Sequence, residues 1–300
     1  MMAVKARPQA RKSPEKGPKR SFRDDEQAGT VGAQELAHTN SMQGAGARPL
    51  RISIGAWRVV VGLLLIAIWT IVAYYFGDNF IPSPIETARA AVRITADGAI
   101  PSALGSTLIV FLAGYILSII VAIPLGLFMG GFRIFGAALE PYMDALSAMP
   151  RVSFIPLIII FLGLGYEAKI CVVFLGAMMP ILINTYTGVL NSDADLIEMA
   201  RASGASEMQI FRMIMLPGAL PYIIAGMRVG AGLALINTVV AELYTAVQGL
   251  GGLLSVYGNT FRMAPYFVVV ILLAIIGLAT MRTLKALERR MTRGYARGRV

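Results

Sequence analysis

The chain has 300 residues, of which 56% are hydrophobic and only 15% are charged, and its formal net charge is +10. A soluble globular domain is less apolar than this, so the composition indicates a membrane protein. The single cysteine, Cys171, excludes an intrachain disulfide. The single histidine, His38, excludes multi-histidine metal sites and histidine-dependent catalytic triads. We therefore expect no metal site and no cofactor in this chain.

The first 50 residues are rich in Pro, Gly, Ser, Lys and Arg and contain few large apolar side chains. Such a segment cannot bury enough surface to offset its conformational entropy, so residues 1–50 are predicted to be a disordered basic tail. Basic residues beside a hydrophobic span are typical of the positive-inside rule, so we expect a solvated tail that fixes the topology of the chain. The alternative is contact of the tail with membrane lipid, and nucleic acid is not expected as a partner. The first apolar run starts near Trp57, well beyond the usual range of a signal peptide, and should remain as a span.

Six segments are long enough to cross a bilayer, whose apolar core needs about 20 helical residues. Two of them, 134–165 and 216–240, contain charged residues as well as prolines. A charge at a helix centre costs about 2.5–3.5 kcal/mol, so these two helices are expected inside a bundle. The predicted fold class is an all-α membrane protein with six transmembrane helices, at residues 57–76, 107–130, 134–165, 170–192, 216–240 and 263–281.

The distribution of Lys and Arg predicts the orientation of these spans. With the N-terminus in the cytoplasm, the inside segments carry 21 Lys and Arg residues and the outside loops carry 4. The chain is therefore expected to be a multi-pass membrane protein with both termini in the cytoplasm. The expected outside loops are residues 77–106, 166–169 and 243–262, and the expected inside segments between spans are 131–133 and 191–215.

Residues 191–217 are predicted to form a polar helical hairpin on the cytoplasmic side. Asn191-Ser192-Asp193 supplies capping residues for a first helix, and Gly204 permits a tight turn or a close approach to a partner. A second helix is expected to start at Ser206 and to end at Leu216-Pro217, where the chain re-enters the membrane. A helix presented in this way is suited to docking in a groove. The alternative is an ordinary amphipathic helix–turn–helix at the membrane surface.

The spacing Glu198-Met-Ala200, Gly204 and Ile214-Met-Leu216-Pro217 resembles the EAA loop of permease subunits of binding-protein-dependent ATP-binding-cassette (ABC) importers, with Met199 in place of the first Ala. The resemblance extends over residues 57–293 and is similar to the nitrate/sulfonate/taurine branch. The motifs that carry this further resemblance are Ile81-Pro-Ser-Pro84, Ser106-Thr107, Met149-Pro-Arg151, Asn184-Thr185, Gly226-Met-Arg228-Val-Gly230, Ala241-Glu242 and Gly249-Leu-Gly251.

The resemblance implies the type I importer (MetI-like) fold for residues 57–293 and a transport function. It implies two copies of an ABC ATPase subunit inside, a solute-binding protein outside, and a second permease copy, most simply in a homodimer. The solute would be small and anionic, such as nitrate, taurine or another sulfonate. No Gly-x4-Gly-Lys-Ser/Thr loop occurs in the sequence, so ATP would be used by the partner and the chain would not itself be an enzyme. Coupling to that ATPase would depend on Glu198, Ala200, Gly204, Ile214, Leu216 and Pro217.

Four polar residues within the spans are candidates for the substrate pathway or its gate: Arg151, Asn184, Arg228 and Glu242. Charged groups inside a membrane are costly, and they commonly mark functional sites. For Arg228 the alternative is a structural pair with Glu140 or Asp144, or extension toward the cytoplasmic surface; Glu242 would be a gate or a receptor contact. Two other classes of protein remain open, a secondary transporter or channel without an ATPase, and a membrane enzyme or redox subunit.

Overall fold

The computed structural model describes residues 54–77, 80–245 and 248–292, and every regular element within them is helical. The predicted disordered tail, residues 1–50, lies outside the described residues. The chain divides at residue 61 into two units, and the packing described here is that of residues 62–292. The helices are α1 (Ile54–Phe76), α2 (Pro84–Ala96), α3 (Ala99–Gly131), α4 (Arg133–Ala148), α5 (Ile155–Leu162), α6 (Tyr166–Leu190), α7 (Ala194–Ala202), α8 (Glu207–Ile210), α9 (Leu216–Thr245), α10 (Leu250–Asn259) and α11 (Met263–Thr292).

Helix α6 is the central helix of the bundle, and it packs along α3 through glycines. A β-carbon at Gly114 would lie 2.6 Å from Val173, and one at Gly126 would lie 2.8 Å from Thr185. Only a residue without a side chain allows the two backbones to approach this closely. The paired positions advance in the same direction along both helices, so α3 and α6 are parallel.

Helix α9 packs on another face of α6 with the opposite direction. A β-carbon at Gly188 would lie 2.6 Å from Tyr222, and one at Gly230 would lie 2.7 Å from Ile181. Here the residue numbers rise along one helix and fall along the other, so α6 and α9 are antiparallel. The small residues Ala177, Ala231 and Ala234 are fully buried in the core that these helices share.

The segment between α3 and α6 is one crossing with a sharp bend. Helices α4 and α5 meet at 85°, with a short 3-10 turn, Arg151–Phe154, between them. Pro150 restricts Met149 to an extended backbone, which ends α4. Because α3 and α6 are parallel neighbours, the chain must return through the thickness of the bundle between them. The hydroxyl of Tyr166, at the start of α6, lies 3.2 Å from that of Ser106 near the start of α3, which confirms the return.

The chain therefore crosses six times, as predicted, although five single helices and one bent pair make the crossings. The ends of the crossings define two ends of the bundle. We call the end that carries residues 131–133 and 190–215 the hairpin end, and the end that carries residues 80–106, 166–169 and 248–263 the loop end.

Helix α11 runs antiparallel to α9, because a β-carbon at Gly277 would lie 3.2 Å from Leu235 and one at Gly232 would lie 3.4 Å from Met281. The last turns of α11 are therefore at the hairpin end.

Two sequence predictions about boundaries are wrong. Residues 166–169 are not a loop, because they form the first turn of α6, where Lys169 is only 3% exposed. The second hairpin helix does not end at Leu216-Pro217, because the helical chain continues without a break from Glu207 to Thr245. In the loop-end segments the chain is helical as well, in α2 and α10. Helix α2 begins at Ser83, whose hydroxyl accepts the N–H of Glu86 at 3.3 Å.

Two glycines of α3 provide a matched test of this packing. Gly114→Ala should destabilise the protein by about 1–3 kcal/mol, because the added methyl group meets the stiff side chain of Val173 and the carbonyl oxygen of Ile170 at 3.0 Å. Gly105→Ala, in the same helix, should be neutral or stabilising by up to about 1 kcal/mol, since no atom lies within 4 Å of its added β-carbon. Thermal unfolding of the two purified variants measures the difference, and equal midpoints would contradict the proposed α3–α6 contact.

Candidate functional site: the hairpin and the intramembrane polar groups

The first arm of the hairpin is helix α7, and local hydrogen bonds define both of its ends. The carboxylate of Asp193 accepts the N–H groups of Asp195 at 3.1 Å and Leu196 at 3.2 Å, which confirms the predicted cap. The helix ends at Ser203, and Gly204 follows with a φ of +81°. Residues with a side chain rarely adopt this left-handed backbone conformation, so glycine is favoured at this position.

The second arm begins with a capping box at Ser206. Its N–H donates to Oε1 of Gln209 at 2.8 Å, and the N–H of Gln209 donates to the Ser206 hydroxyl at 3.4 Å. The two arms are joined by Arg201, whose Nε and Nη2 donate to the two carboxylate oxygens of Glu207 at 3.0 and 3.1 Å. This hydrogen bond raises the pKa of the Arg201 guanidinium, which therefore remains charged. The caps and the Arg201–Glu207 pair thus define the local shape of the hairpin, and its second arm also packs on the bundle through Ile210, which is only 1% exposed.

The outer surface of the hairpin is exposed and partly apolar. Glu198 and Gly204 are exposed, and no atom of the chain lies within 4 Å of a β-carbon built at Gly204. Met199 is 60% exposed and Met208 is 53% exposed. Methionine side chains adapt easily to a partner surface. In the sequence, Met199 is a departure from the EAA motif. In the structure, its side chain lies on the exposed surface that is available for docking.

Between the hairpin and α9 lies a π-helical turn, Phe211–Met215. The N–H of Leu216 donates to the carbonyl of Phe211, five residues back, instead of four. Proline lacks an N–H and clashes with the preceding helical turn, and the extra residue in the π turn accommodates Pro217 without ending the helix. Ile214, Leu216 and Pro217 are half-buried there. The ring of Phe211 would lie 3.0 Å from a β-carbon at Gly131, so the turn also contacts the end of α3.

Arg228 forms an ion pair with Glu288 of α11, and both side chains are partly exposed. The alternative of a structural pair was suggested with Glu140 or Asp144 as examples of the acid, and these examples are wrong, because the acid that pairs with Arg228 is Glu288. The pair links α9 to α11 near the hairpin end. Its geometry favours a structural role for Arg228 over a pathway role.

Asn184 is also engaged in packing. Its amide Nδ2 donates to the carbonyl oxygen of Pro180 at 2.7 Å, one turn earlier in α6. Its β-carbon would lie 2.7 Å from a β-carbon at Gly226, so the side chain sits in the contact between α6 and α9. In this position, little of the Asn184 side chain is accessible to a solute.

Glu242 lies in the most extensive polar network among the described residues. The side chain is 0% exposed. Its carboxylate accepts the hydroxyl of Thr107 at 2.9 Å and the N–H of Gly251 at 2.8 Å, while the Thr107 hydroxyl accepts the N–H of Leu250 at 2.8 Å. Glu242 and Thr107 together cap the first turn of α10. Full burial rules out the predicted receptor contact by the Glu242 side chain itself.

This network unites three motifs that the sequence showed separately: Ser106-Thr107, Ala241-Glu242 and Gly249-Leu-Gly251. Gly249 has a φ of +98°, and a β-carbon there would collide with the Glu242 carboxylate. Nothing in the sequence pattern indicated that Thr107 and Glu242 are partners, since they are 135 positions apart.

A cavity of about 670 Å³ opens beside this network at the loop end, and no pattern in the sequence indicated it. Its polar groups are linked to one another, because the Tyr166 hydroxyl donates to Oε1 of Gln248 at 3.1 Å and lies near the Ser106 hydroxyl. The buried Lys169 donates to the carbonyl oxygen of Gln248 at 3.3 Å. Through these bonds, most of the polar groups at the cavity are already paired with other groups of the chain.

Arg151 is at mid-depth in the bundle, in the 3-10 turn between α4 and α5. Its Nη1 donates to the carbonyl oxygen of Gly176 at 3.0 Å. Gly176 is ten residues from the start of the 25-residue helix α6, or about 15 Å along it. Arg151 also lines a cavity of about 160 Å³, together with Leu146, Met149, Phe154, Leu175 and Met179.

Among the described residues no group of three or more His, Cys, Asp or Glu side chains is arranged to hold a metal ion. The six crossings and the glycine-mediated packing are those of a multi-pass helical membrane protein, and the hairpin at one end of its bundle is exposed. The family model described as "Binding-protein-dependent transport system inner membrane component" matches residues 122–293. The chain belongs to this family and is a permease subunit of an ABC importer.

Similar proteins agree with this assignment. A Brucella abortus ABC transporter permease protein is 33% identical over 74% of this chain and 88% of its own length. The taurine transport permease TauC of Escherichia coli K12 is 28% identical over 82% of this chain and 90% of its own. The aliphatic sulfonates transport permease SsuC of the same organism is 31% identical over 79% of this chain and 90% of its own.

The fold is also similar to that of a solved ABC importer. A chain of the MetNI methionine transporter in an inward-facing conformation superposes with a TM-score of 0.54. The match covers 64% of this chain and 94% of that chain at 21% identity. This likeness confirms the predicted MetI-like importer fold.

Proposed function

We propose that this permease forms half of the translocation pore of an importer for a small sulfonate or a similar organic anion. The hairpin of residues 191–217 is its coupling element. The observation that carries the proposal is the exposed outer face of the hairpin, whose two arms are held by their own caps and by the Arg201–Glu207 pair. An element that packs on the bundle through one side, and is open on its outer face, is suited to docking on a separate subunit.

Glu198, Ala200 and Gly204 form the docking surface in this proposal, and Ile214, Leu216 and Pro217 connect it to α9. The partner is an ABC ATPase in two copies, which binds and hydrolyses the ATP. The helical continuity from Glu207 to Thr245 supports this arrangement, because movement of the hairpin is transmitted directly into a helix that packs on α6. ATP-driven movement of the hairpin then reorients the pore.

The permease domain comprises residues 57–293, and two copies form the pore, with a solute-binding protein on the outer side. The hairpin end faces the cytoplasm, and so do both termini. Support for this orientation comes from the excess of Lys and Arg in the segments assigned to the inside. It is also supported by the antiparallel packing of α9 and α11, which brings the last turns of α11 to the hairpin end.

The cargo class follows from the relatives named for taurine and aliphatic sulfonates. A strain that lacks this chain should fail to grow on an alkanesulfonate or taurine as sole sulfur source, and the intact chain should restore growth. Growth on sulfate serves as the control for general fitness, and nitrate as sole nitrogen source tests the other anion of this branch. Unimpaired growth on every sulfonate would contradict the cargo assignment, and uptake without any associated ATPase would favour a secondary transporter.

A further inference from the structure

We propose that the cavity between α2 and the start of α11, at the loop end, binds the phosphate group of an anionic phospholipid. The cavity has a volume of about 260 Å³ and is lined by residues of α2 and by residues 261–265. Two arginines, Arg93 of α2 and Arg262 just before α11, belong to this lining. Such a site is independent of the solute that the permease carries, because it binds the lipid around the bundle.

The two guanidinium groups are available to an anion. Arg93 and Arg262 are exposed, and the ion pairs among the described residues involve other arginines. The guanidinium of Arg262 lies over the ring of Tyr257, 5.3 Å from its centroid, a contact that leaves the charge without a counter-ion. The carboxylate of Glu86 also lines the cavity, but it is already paired with Arg89 at 2.7 Å. A guanidinium presents its N–H groups in a fork that matches the oxygens of a phosphate.

The position of these arginines is unusual for the loop end. The segments assigned to the outside carry four Lys and Arg residues, and Arg89, Arg93 and Arg262 are three of them. Basic residues are normally depleted on that side of a membrane. Arg93 and Arg262 come from distant parts of the chain, so the tertiary structure brings them to one cavity. An anionic ligand explains their convergence, whereas the topology of the chain does not require it.

Aromatic residues place the cavity at the depth of the membrane interface. Tyr74 and Tyr75, at the end of α1, are exposed, and tyrosines are enriched at this depth. The indole N–H of Trp69 donates to the carbonyl oxygen of Pro82 at 3.0 Å, and its ring stacks on that of Phe267 in α11. Trp69 is about 10 Å along α1 from the end of that helix, so these contacts hold the starts of α2 and α11 close to the bilayer. At this depth the adjacent anion is a lipid headgroup.

Apolar side chains beside the cavity complete the fit to a lipid. Ile85 and Val92, two turns apart on the same face of α2, are 65% and 74% exposed. Phe261 is 69% exposed, and its φ of +54° is a conformation that residues with a side chain rarely adopt. A helix that combines an apolar face with flanking arginines is suited to the plane of the membrane interface. The acyl chains would cover these apolar groups while the phosphate occupies the cavity.

The two tryptophans of the sequence, Trp57 and Trp69, make a local test possible. In the Trp57→Phe variant, Trp69 is the remaining tryptophan, and bromine atoms on acyl chains quench its fluorescence only at short range. The full-length permease is reconstituted in phosphatidylcholine vesicles with increasing fractions of brominated phosphatidylglycerol or of brominated phosphatidylcholine. The phosphatidylglycerol should quench Trp69 at a mole fraction lower by about fivefold or more, the effect of one basic residue near an anionic lipid. Equal quenching by the two lipids would overturn the proposal.

A double variant shows whether the arginines cause this preference. In the same single-tryptophan background, Arg93→Gln combined with Arg262→Gln should reduce the preference for phosphatidylglycerol by about fivefold or more. The matched control combines Arg133→Gln with Arg212→Gln, two exposed arginines of the hairpin end, and should leave the preference at Trp69 unchanged. If the preference survives in the first double variant, these arginines do not hold the lipid.

Glu86→Gln and the solute-binding protein supply the remaining tests. Glu86→Gln removes a carboxylate from the lining and should increase the preference for phosphatidylglycerol, a change that loss of folding would not produce. Association of the solute-binding protein, measured on the same preparations, tests the other anionic partner of the outer side. If lipid preference is absent and the Arg93→Gln, Arg262→Gln variant loses this association, the arginines contact the receptor and the lipid proposal is wrong.

Discussion

Gly204→Asp is expected to reduce transport at least tenfold while membrane insertion stays normal. The structure leaves open space around the position, since no atom of the chain lies within 4 Å of an added β-carbon. Within the chain, the substitution therefore costs only the strain of a left-handed backbone, about 1–2 kcal/mol, and Asp tolerates this conformation better than most residues. A large loss of transport would therefore mean that the new side chain meets a surface outside the chain. In the proposed complex that surface is the docked ATPase. Uptake in proteoliposomes and copurification of the ATPase measure it.

Gly98 is the matched control for this prediction. It has a φ of +74° against +81° for Gly204, is exposed, and likewise has no atom within 4 Å of an added β-carbon. It lies at the loop end, before α3. Gly98→Asp therefore imposes the same backbone strain away from the proposed docking surface, and transport should stay within twofold of the wild type. If both variants lose transport equally, backbone strain is the cause and the coupling assignment is wrong.

The same reasoning applies to the exposed acid on the hairpin. Glu198→Arg should weaken association with the ATPase without an effect on the thermal stability of the permease, because the side chain is exposed and takes no part in the α7 cap. Normal uptake by this variant would remove Glu198 from the docking surface.

Glu242→Ala should lower the unfolding temperature of the purified permease by about 5–20 °C. The substitution removes the acceptor of the Thr107 hydroxyl and of the Gly251 N–H in a fully buried place. Each unsatisfied buried group costs about 1–3 kcal/mol, and a loss of 1 kcal/mol lowers the midpoint by about 2–4 °C in a chain of this size. Thermal unfolding followed by circular dichroism in detergent gives the midpoints.

Two further variants show whether the loss comes from the network. Glu242→Gln keeps the volume and one acceptor oxygen, so it should be less destabilising than Glu242→Ala. Glu86→Ala, at the same end of the bundle, removes an exposed ion pair with Arg89 and should change stability by less than about 1 kcal/mol. A midpoint for Glu242→Ala equal to that of Glu86→Ala would show that the buried network contributes nothing to stability.

The crossings of the membrane and the hairpin caps were predictable from the sequence because their causes are local. A run of about 20 apolar residues needs only its own length to span the bilayer. Asp193 and Ser206 cap helices through residues within three positions, so their roles were visible in the sequence. The excess of Lys and Arg in alternate segments likewise required no knowledge of packing.

The effect of proline was predicted less well, because it depends on the neighbouring turn. Pro217 was expected to end a helix, but the π turn at Phe211–Met215 absorbs the missing hydrogen bond and the helix continues. Pro150 does end a helix, and there the chain turns by 85° and exposes Arg151 to a cavity. The two outcomes differ because one proline follows an extra residue in the helical turn and the other forces an extended backbone on Met149.

The sequence by itself determined the class of the protein, its six crossings, the positions of the charged groups and the hairpin with its caps. The tertiary structure alone decided what those charged groups do. Arg228 pairs with Glu288, Glu242 is buried with Thr107, and Arg151 is left beside an apolar cavity. The physical reason is that partners of intramembrane charges come from other helices, so their identity follows from the parallel and antiparallel packing around α6 and not from spacing along the chain.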